Sequence, residues 1–504
     1  MEIKKYGSGK LDIALCCISF ALIAVTIAWA LMDNNGFIAI TKLVKDVLVE
    51  NMSWFLILFI NTVVIILLYL ACSRFGSRRL GRDEDRPEMS TFSWIALLIS
   101  CGAAAGFCFW PIAEPLWHYF NTPYIAKSAT PDALVVARSI ALFHWGLHLW
   151  GLFCITGLCI AYPAFRNNRP LTIPGALYGL LGERSMTSIW GRIAEICASF
   201  ATLTGVGATL ALGMLLLSSG VHAIFGVEIN LTMQAVIMAA IIAIYSLAAW
   251  SGLTKGIKLL GDMNAYLCFA WLSYILIAGP TSTLLDGMVE TLGAYLSNMI
   301  TMATFVDASE QSNNWHGDWS VFYYMWNIAW APLVGGFIAR ISRGRTLREY
   351  IFGTLLLPTA VAVIWFGIIG TASQYVVTHE INDLWAVVQQ EPAMGLYVLI
   401  DAFGGGLPLK LLIFGVCCTL LLTSADAASY FMAMLMSRGS LNPKPAQMLI
   451  WGVLIGCLGV IFLSFGGISG VQTAGVIAGA PFLFILVAMI ISIFKVLYSE
   501  DKQL

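Results

Sequence analysis

The chain runs to 504 residues, of which 59% are hydrophobic and only 11% charged, where an average soluble domain carries about 25% charged residues. Its formal net charge of −1 offers no basic field for nucleic acid. A water-soluble fold is excluded, and an all-α membrane protein is expected.

A membrane helix needs about 20 apolar residues to cross the hydrocarbon. Twelve segments meet that length, at roughly 11–32, 54–72, 93–113, 139–162, 196–217, 232–250, 263–283, 319–339, 350–372, 408–428, 446–465 and 473–494. The first follows Met1 to Lys5 with no small-residue cleavage site, so it reads as a retained helix and not a signal peptide. Most of the twelve cysteines, such as Cys16-Cys17 and Cys417-Cys418, fall inside apolar spans and read as small packing residues.

The third span carries Ser100-Cys101-Gly102-Ala103-Ala104-Ala105-Gly106, then Trp110-Pro111 and Glu114-Pro115. An interrupted backbone at this depth is tolerated only where it lines a cavity, and small residues equally allow close helix contact, so both readings stand. In the fourth span His144 and His148 have the i,i+4 spacing that suits a metal. No cysteine or carboxylate neighbours them in sequence, so they read as hydrogen-bonded helix histidines, and no metal other than sodium is expected. Trp145 and Trp150 in the same span are five residues apart, about 140° around a helix, so they are not expected to face one ligand equally. The eighth span places Trp319, Tyr323, Trp326 and Trp330 on one helical face beside Asn327. Such a stripe serves either helix packing or a cation wall, each ring face attracting charge by about 0.5 to 2 kcal/mol when desolvated. The tenth span ends in Leu422-Thr423-Ser424-Ala425-Asp426, whose hydroxyls either coordinate an alkali cation or bond back to their own helix.

Basic residues set orientation in membrane proteins. With twelve spans, 22 of the 27 Lys and Arg lie on the side of the termini, leaving Lys42, Lys45, Lys127, Arg138 and Lys410 near the other face. Both termini are therefore expected in the cytoplasm of a multi-pass bacterial inner-membrane protein.

The run Trp326-Asn327-Ile328-Ala329-Trp330-Ala331-Pro332-Leu333-Val334-Gly335, followed by Ala339-Arg340-Ile341-Ser342-Arg343-Gly344-Arg345-Thr346, resembles the signature of the betaine/choline/carnitine transporter family. Phe143-His144-Trp145-Gly146, the Gly-Ala stretch with Trp110 and Glu114-Pro115, and Thr423-Ser424-Ala425-Asp426 do so as well. The resemblance implies a homotrimer of twelve-helix subunits, with helices 3–12 forming inverted five-helix repeats of the leucine-transporter type. On that plan residues 1–90 hold two N-terminal helices and a basic cytoplasmic loop, 91–285 the first repeat, 286–318 a periplasmic or interfacial connecting helix, 319–495 the second repeat and 496–504 a short cytoplasmic tail. Family members that sense osmotic stress carry a long charged tail, so metabolic uptake or exchange is the expected role. The function implied is import of a small quaternary-ammonium solute of betaine, carnitine or choline type by sodium symport, with sodium-independent exchange as the alternative. A channel would show a selectivity-filter repeat, which is not seen, and an enzyme would need a converging nucleophile or metal set.

Carried over residue by residue, the resemblance assigns the substrate to Trp117, Trp145, Trp326 and Trp330; Asn327, and Trp150 and Tyr323 from the aromatic spans, complete the expected substrate-binding set. Asn327 departs from the family by replacing the second tryptophan of a pair, and Phe153 replaces a common tyrosine. It assigns one sodium ion to Thr423, Ser424 and carbonyls near Ser100 and Ala103. Asn264 and Val334 stand where sodium-independent exchangers carry an arginine and a methionine. Thr202 is kept in the fifth helix, and a second threonine there appears as Val206.

Overall fold

The computed structural model describes residues 11–102, 106–250, 254–308, 312, 314–440, 442–464 and 467–501, with side chains for all of these except 100–102, 248–249, 254–262 and 501. Among the described residues every regular element is a helix, and the one β-type pairing is an isolated bridge between Arg79 and Thr346.

In chain order the helices are α1 (Ile13–Met32), α2 (Asn34–Cys72), α3 (Thr91–Gly102), α4 (Gly106–Phe120), α5 (Pro131–Trp145), α6 (Leu147–Arg166), the short α7 (Ile173–Ala176) and α8 (Tyr178–Leu181), and α9 (Ile189–Phe225). They continue with α10 (Leu231–Trp250), α11 (Thr254–Ala278), α12 (Thr281–Thr304), α13 (Phe322–Ile341), α14 (Leu347–Thr378), α15 (Leu384–Gln390), α16 (Gly395–Ala402), α17 (Gly406–Met436), α18 (Pro445–Ser464) and α19 (Ile468–Asp501). Among the described residues the twelve expected spans fall largely on helix, apart from breaks at Gly146 and at Gly279–Pro280. Nine helical stretches among the described residues are long and apolar enough to cross a membrane, or ten if the pair Met263–Ala278 and Thr281–Thr304, bent by 116°, is one span.

Among the described residues two expected spans are broken, the fourth at Gly146 and the seventh at Gly279–Pro280 between α11 and α12, and neither break is expected from the sequence. The interruption expected in the third span falls on Ala103 to Ala105, which lie outside the described residues. Pro111 and Pro115 do not end α4, which runs through both to Phe120. The spacing of the fourth span predicts one continuous helix, but the structure breaks it at Gly146, whose φ of −96° and ψ of −136° are not helical. A Cβ at Gly146 would stand 2.7 Å from the Leu142 carbonyl oxygen and 2.9 Å from the Tyr295 hydroxyl, so only glycine fits there. Tyr295 of α12 repairs the break by accepting a hydrogen bond from the Leu147 N–H at 3.2 Å.

α12 begins at Thr281, five residues before the expected start of the connecting helix at 286, and packs against α5 and α14. At the centre of the molecule, α13 packs against α6, α9 and α19. Small residues set those spacings: a Cβ on Gly335 would meet Thr156 Cγ2 at 2.7 Å, and one on Gly205 would meet the Ala329 Cβ at 2.8 Å. By contrast, the apolar stretch of α1 is only 22% buried. Ile13, Ile18, Leu22 and Leu31 face outward, as on a helix turned to lipid, while Leu15 and Ile23 are buried.

Candidate functional site

A narrow cavity lies where α4, α6 and α13 meet below the Gly146 break. Phe107 of α4, Trp145 at the end of α5, and Trp150 and Phe153 of α6 face Trp326, Asn327 and Trp330 of α13 across it, and Leu149 and Val334 complete its wall. Because the helix is interrupted at Gly146, the 140° argument fails, and Trp145 and Trp150 line the same space.

Three of the four indoles are held through their N–H groups. Trp326 and Trp330 both donate to the Gly205 carbonyl of α9, at 3.2 and 3.1 Å, and Trp330 also donates to Thr209 Oγ1 at 2.9 Å. Trp145 donates to Glu114 Oε2 at 3.1 Å. With their polar edges engaged, what these residues present to the cavity is aromatic ring, the surface that attracts a desolvated cation. The Trp150 Nε1 is buried and has no hydrogen-bond partner.

Behind Trp145 lies a buried polar cluster centred on Glu114 of α4. Glu114 Oε1 receives His144 Nδ1 at 2.6 Å and His118 Nε2 at 3.2 Å, while Oε2 accepts from the Tyr323 hydroxyl at 2.8 Å as well as from Trp145. His144 Nε2 meets Ser320 Oγ at 2.9 Å, and Trp315 Nε1 donates to His118 Nδ1 at 3.2 Å. Trp145, Tyr323 and, through its tautomer, His118 donate to this carboxylate, and the His144 contact takes either direction according to its tautomer.

Among the described residues, Glu114, His118 and His144 are the one group of potential metal ligands that converges, with all ligand atoms within 4.8 Å of one another. The tautomer argues against a metal there. An indole N–H only donates, so His118 Nδ1 must be the acceptor and a neutral His118 carries its proton on Nε2, the atom that faces Glu114. A protonated nitrogen cannot ligate. His144 and His148 do not form a pair either, since His148 Nε2 meets Asn61 Oδ1 of α2 at 3.2 Å.

The aromatic stripe of α13 is thus divided. Trp326 and Trp330 line the cavity, whereas Tyr323 and Trp319 belong to the polar cluster, with Trp319 4.6 Å from the His118 ring and 5.7 Å from Trp110. Trp117 is not brought to the cavity; it packs edge-on against Trp385 at 5.2 Å, between α4 and α15. The sequence reading placed Phe107 and Leu149 in no site at all, and left Glu114 without a partner. A signal for Glu114 existed in His118, one helical turn away, but its other partners are 30 to 209 residues distant in sequence.

Of the expected sodium ligands, Ala103 lies outside the described residues, as does the side chain of Ser100. Thr423 Oγ1 bonds back to the carbonyls of Thr419 and Leu420 in its own helix, both at 3.0 Å, and Ser424 is half-buried. Thr202 of α9 keeps a buried hydroxyl without a hydrogen-bond partner. Asn264 of α11 accepts from Thr419 Oγ1 of α17 at 3.3 Å and so ties those two helices.

Comparison with known proteins agrees with this architecture. The family model described as BCCT, betaine/carnitine/choline family transporter, matches residues 14–502. A glycine betaine transporter of Acinetobacter baylyi is 34% identical over 490 residues, covering 96% of this chain and 73% of the relative. The glycine betaine transporter OpuD of Bacillus subtilis is 30% identical over 488 residues, 97% of this chain and 94% of its own length. An ectoine/hydroxyectoine transporter of Virgibacillus pantothenticus is 34% identical over 486 residues, with 96% of each chain covered. A match across nearly the whole length, on a bundle of long apolar helices, makes this chain a multi-pass membrane transporter, and no enzyme, of the betaine/carnitine/choline family.

Proposed function

We propose that this chain is a secondary active transporter of the bacterial inner membrane that imports a small betaine-type zwitterion, a carboxylate joined to an alkylated nitrogen cation. The observation that carries the reading is the cavity walled by Trp145, Trp326 and Trp330, whose indole N–H groups are engaged elsewhere and whose rings remain for a cation. The three relatives named for glycine betaine or ectoine transport support the same substrate class. Transport proceeds by alternating access in a homotrimer embedded in lipid, each subunit having twelve spans, both termini in the cytoplasm and helices 3–12 arranged as inverted repeats.

Sodium is the proposed coupling ion, bound by Thr423, Ser424 and carbonyls of the third span near Ser100 and Ala103. In favour of sodium, the positions at which exchangers of the family carry a built-in cation or thioether are Asn264 and Val334. The second reading, sodium-independent exchange, draws support from the Thr423 hydroxyl, which is turned onto its own helix.

The deciding experiment is uptake of labelled glycine betaine into proteoliposomes. Uptake is expected to follow an inward sodium gradient and to fall at least about tenfold when potassium replaces sodium. Uptake unchanged by that replacement would overturn sodium coupling, and counterflow that persists without any ion gradient would establish exchange. Trp326→Leu, which keeps apolar bulk while removing the ring, is expected to abolish uptake in either case.

A further inference from the structure

Asn327 sits among the rings of the cavity, and its amide has a fixed orientation. The Tyr323 carbonyl can only accept, and it lies 2.7 Å from Asn327 Nδ2. The amide nitrogen must therefore face the helix backbone, which leaves Oδ1 on the other side of the amide plane. No hydrogen bond to Oδ1 is recorded among the described residues, and the side chain is one of those lining the cavity.

A fully alkylated ammonium has no N–H to give this oxygen. Its methyl groups offer only weak C–H contacts, worth less than a conventional hydrogen bond. Closing such a solute against Asn327 Oδ1 strips the oxygen of water without replacement, which is costly for any buried acceptor. A cation that retains one N–H keeps its attraction to the rings and also satisfies the oxygen through a charge-assisted hydrogen bond. At the opposite wall, the unpartnered Trp150 Nε1 is a donor suited to an acceptor such as a carboxylate oxygen.

We infer that, within the betaine-type class, this site prefers zwitterions whose cationic centre carries an N–H donor, such as a tertiary ammonium or a cyclic amidinium carboxylate, over fully alkylated ones, and that Asn327 Oδ1 is the group that selects them. The inference rests on the aromatic cation site proposed above and narrows its substrate.

The test is isothermal titration calorimetry of the purified full-length protein, in sodium buffer at pH 7, with three probes: glycine betaine, N,N-dimethylglycine and ectoine. Dimethylglycine differs from glycine betaine by one methyl replaced with a proton. The expected result is that dimethylglycine or ectoine binds at least about tenfold more tightly than glycine betaine, a difference of about 1.4 kcal/mol. Asn327→Leu, of similar size without the acceptor, is expected to remove that preference, and Asn327→Trp to reverse it. Tightest binding of glycine betaine to the unaltered protein, with its advantage unchanged in Asn327→Leu, would overturn the inference while leaving the aromatic site standing. Binding of none of the three would overturn both.

Discussion

At the scale of single residues, Glu114 has more riding on it than its place in the sequence suggests. Its two oxygens share four hydrogen bonds, with two histidines, a tyrosine and the tryptophan that forms one wall of the cavity. Glu114→Gln keeps the shape but supplies an N–H where acceptors are needed. If the amide oxygen serves Trp145 and Tyr323, its nitrogen faces His118 and His144. His144 can shift its proton to Nε2 and accept, because Ser320 can change from donor to acceptor. His118 cannot, because Trp315 occupies its other nitrogen. One buried donor is left opposed to another, so Glu114→Gln is expected to destabilise the protein by about 2 kcal/mol, read as a lower thermal midpoint of the purified protein. Trp145 is also released from its anchor, so weaker solute binding should accompany that loss. His118→Ala in the Gln background should cost less than in the native protein, since the clash is gone; equal costs in both backgrounds would exclude the tautomer lock. Legibility at this scale followed sequence distance. Trp326, Asn327 and Trp330 could be placed together because helical spacing fixes one face, whereas the Glu114 cluster gathers residues from three separate segments, which no local pattern discloses.

At the scale of elements, the interruptions of helices decide where side chains point. The interruption that small residues signal in the third span falls on residues outside those described. The break at Gly146 was not legible, because a single glycine in an otherwise regular apolar pattern is compatible with an intact helix. What makes the break stable comes from α12, through the hydroxyl of Tyr295. That helix is in turn held by Arg138 of α5, which is 3% exposed and donates to Thr291 Oγ1 at 2.9 Å, to Glu290 Oε2 at 3.2 Å and to Gln374 Oε1 of α14. The sequence reading used Arg138 only as a marker of the outer face. Arg138→Leu removes three bonds and leaves the Gln374 oxygen buried without a donor, an expected cost of about 3 kcal/mol. Because Arg138 ties α12 to its neighbours, the loss should be local first: amide hydrogen exchange is expected to accelerate across Thr281–Thr304 before it does in α13. Unchanged protection of that helix would show that its apolar contacts alone hold it. Arg138→Lys should recover part of the loss, because an ammonium keeps the charge but not the planar fork.

At the scale of the whole molecule, the face expected to be cytoplasmic is closed by two segments far apart in sequence. Residues 78–80, after α2, pair with residues 344–347, between α13 and α14: the Leu80 N–H donates to the Arg345 carbonyl, Gly344 N–H to the Leu80 carbonyl and Leu347 N–H to the Arg78 carbonyl, each at 2.8 Å. Gly344 has a φ of +81° and abuts the Arg86 carbonyl, so no side chain is accommodated there. The loop is legible as a family signature, and by charge alone its arginines count equally toward orientation. The structure separates them. Arg345 is 2% exposed and lies 4.2 Å over the ring of Trp94, while Arg343 is half-exposed and reaches Asp85 and Glu88 only at 3.5 and 3.6 Å. Positive charge for orientation is preserved in Arg→Lys at either position, but planar stacking is not. Arg345→Lys is therefore expected to lower stability by about 1 kcal/mol, the scale of a cation–π contact, and Arg343→Lys by less than about 0.5 kcal/mol, as for an exposed ion pair. Thermal unfolding of the two purified variants checks the order. Equal midpoints would mean that Arg345 acts by charge alone. A Trp94→Leu background, in which Arg345→Lys should lose most of its effect, identifies the ring as the partner through which the arginine fastens α3 to the turn before α14.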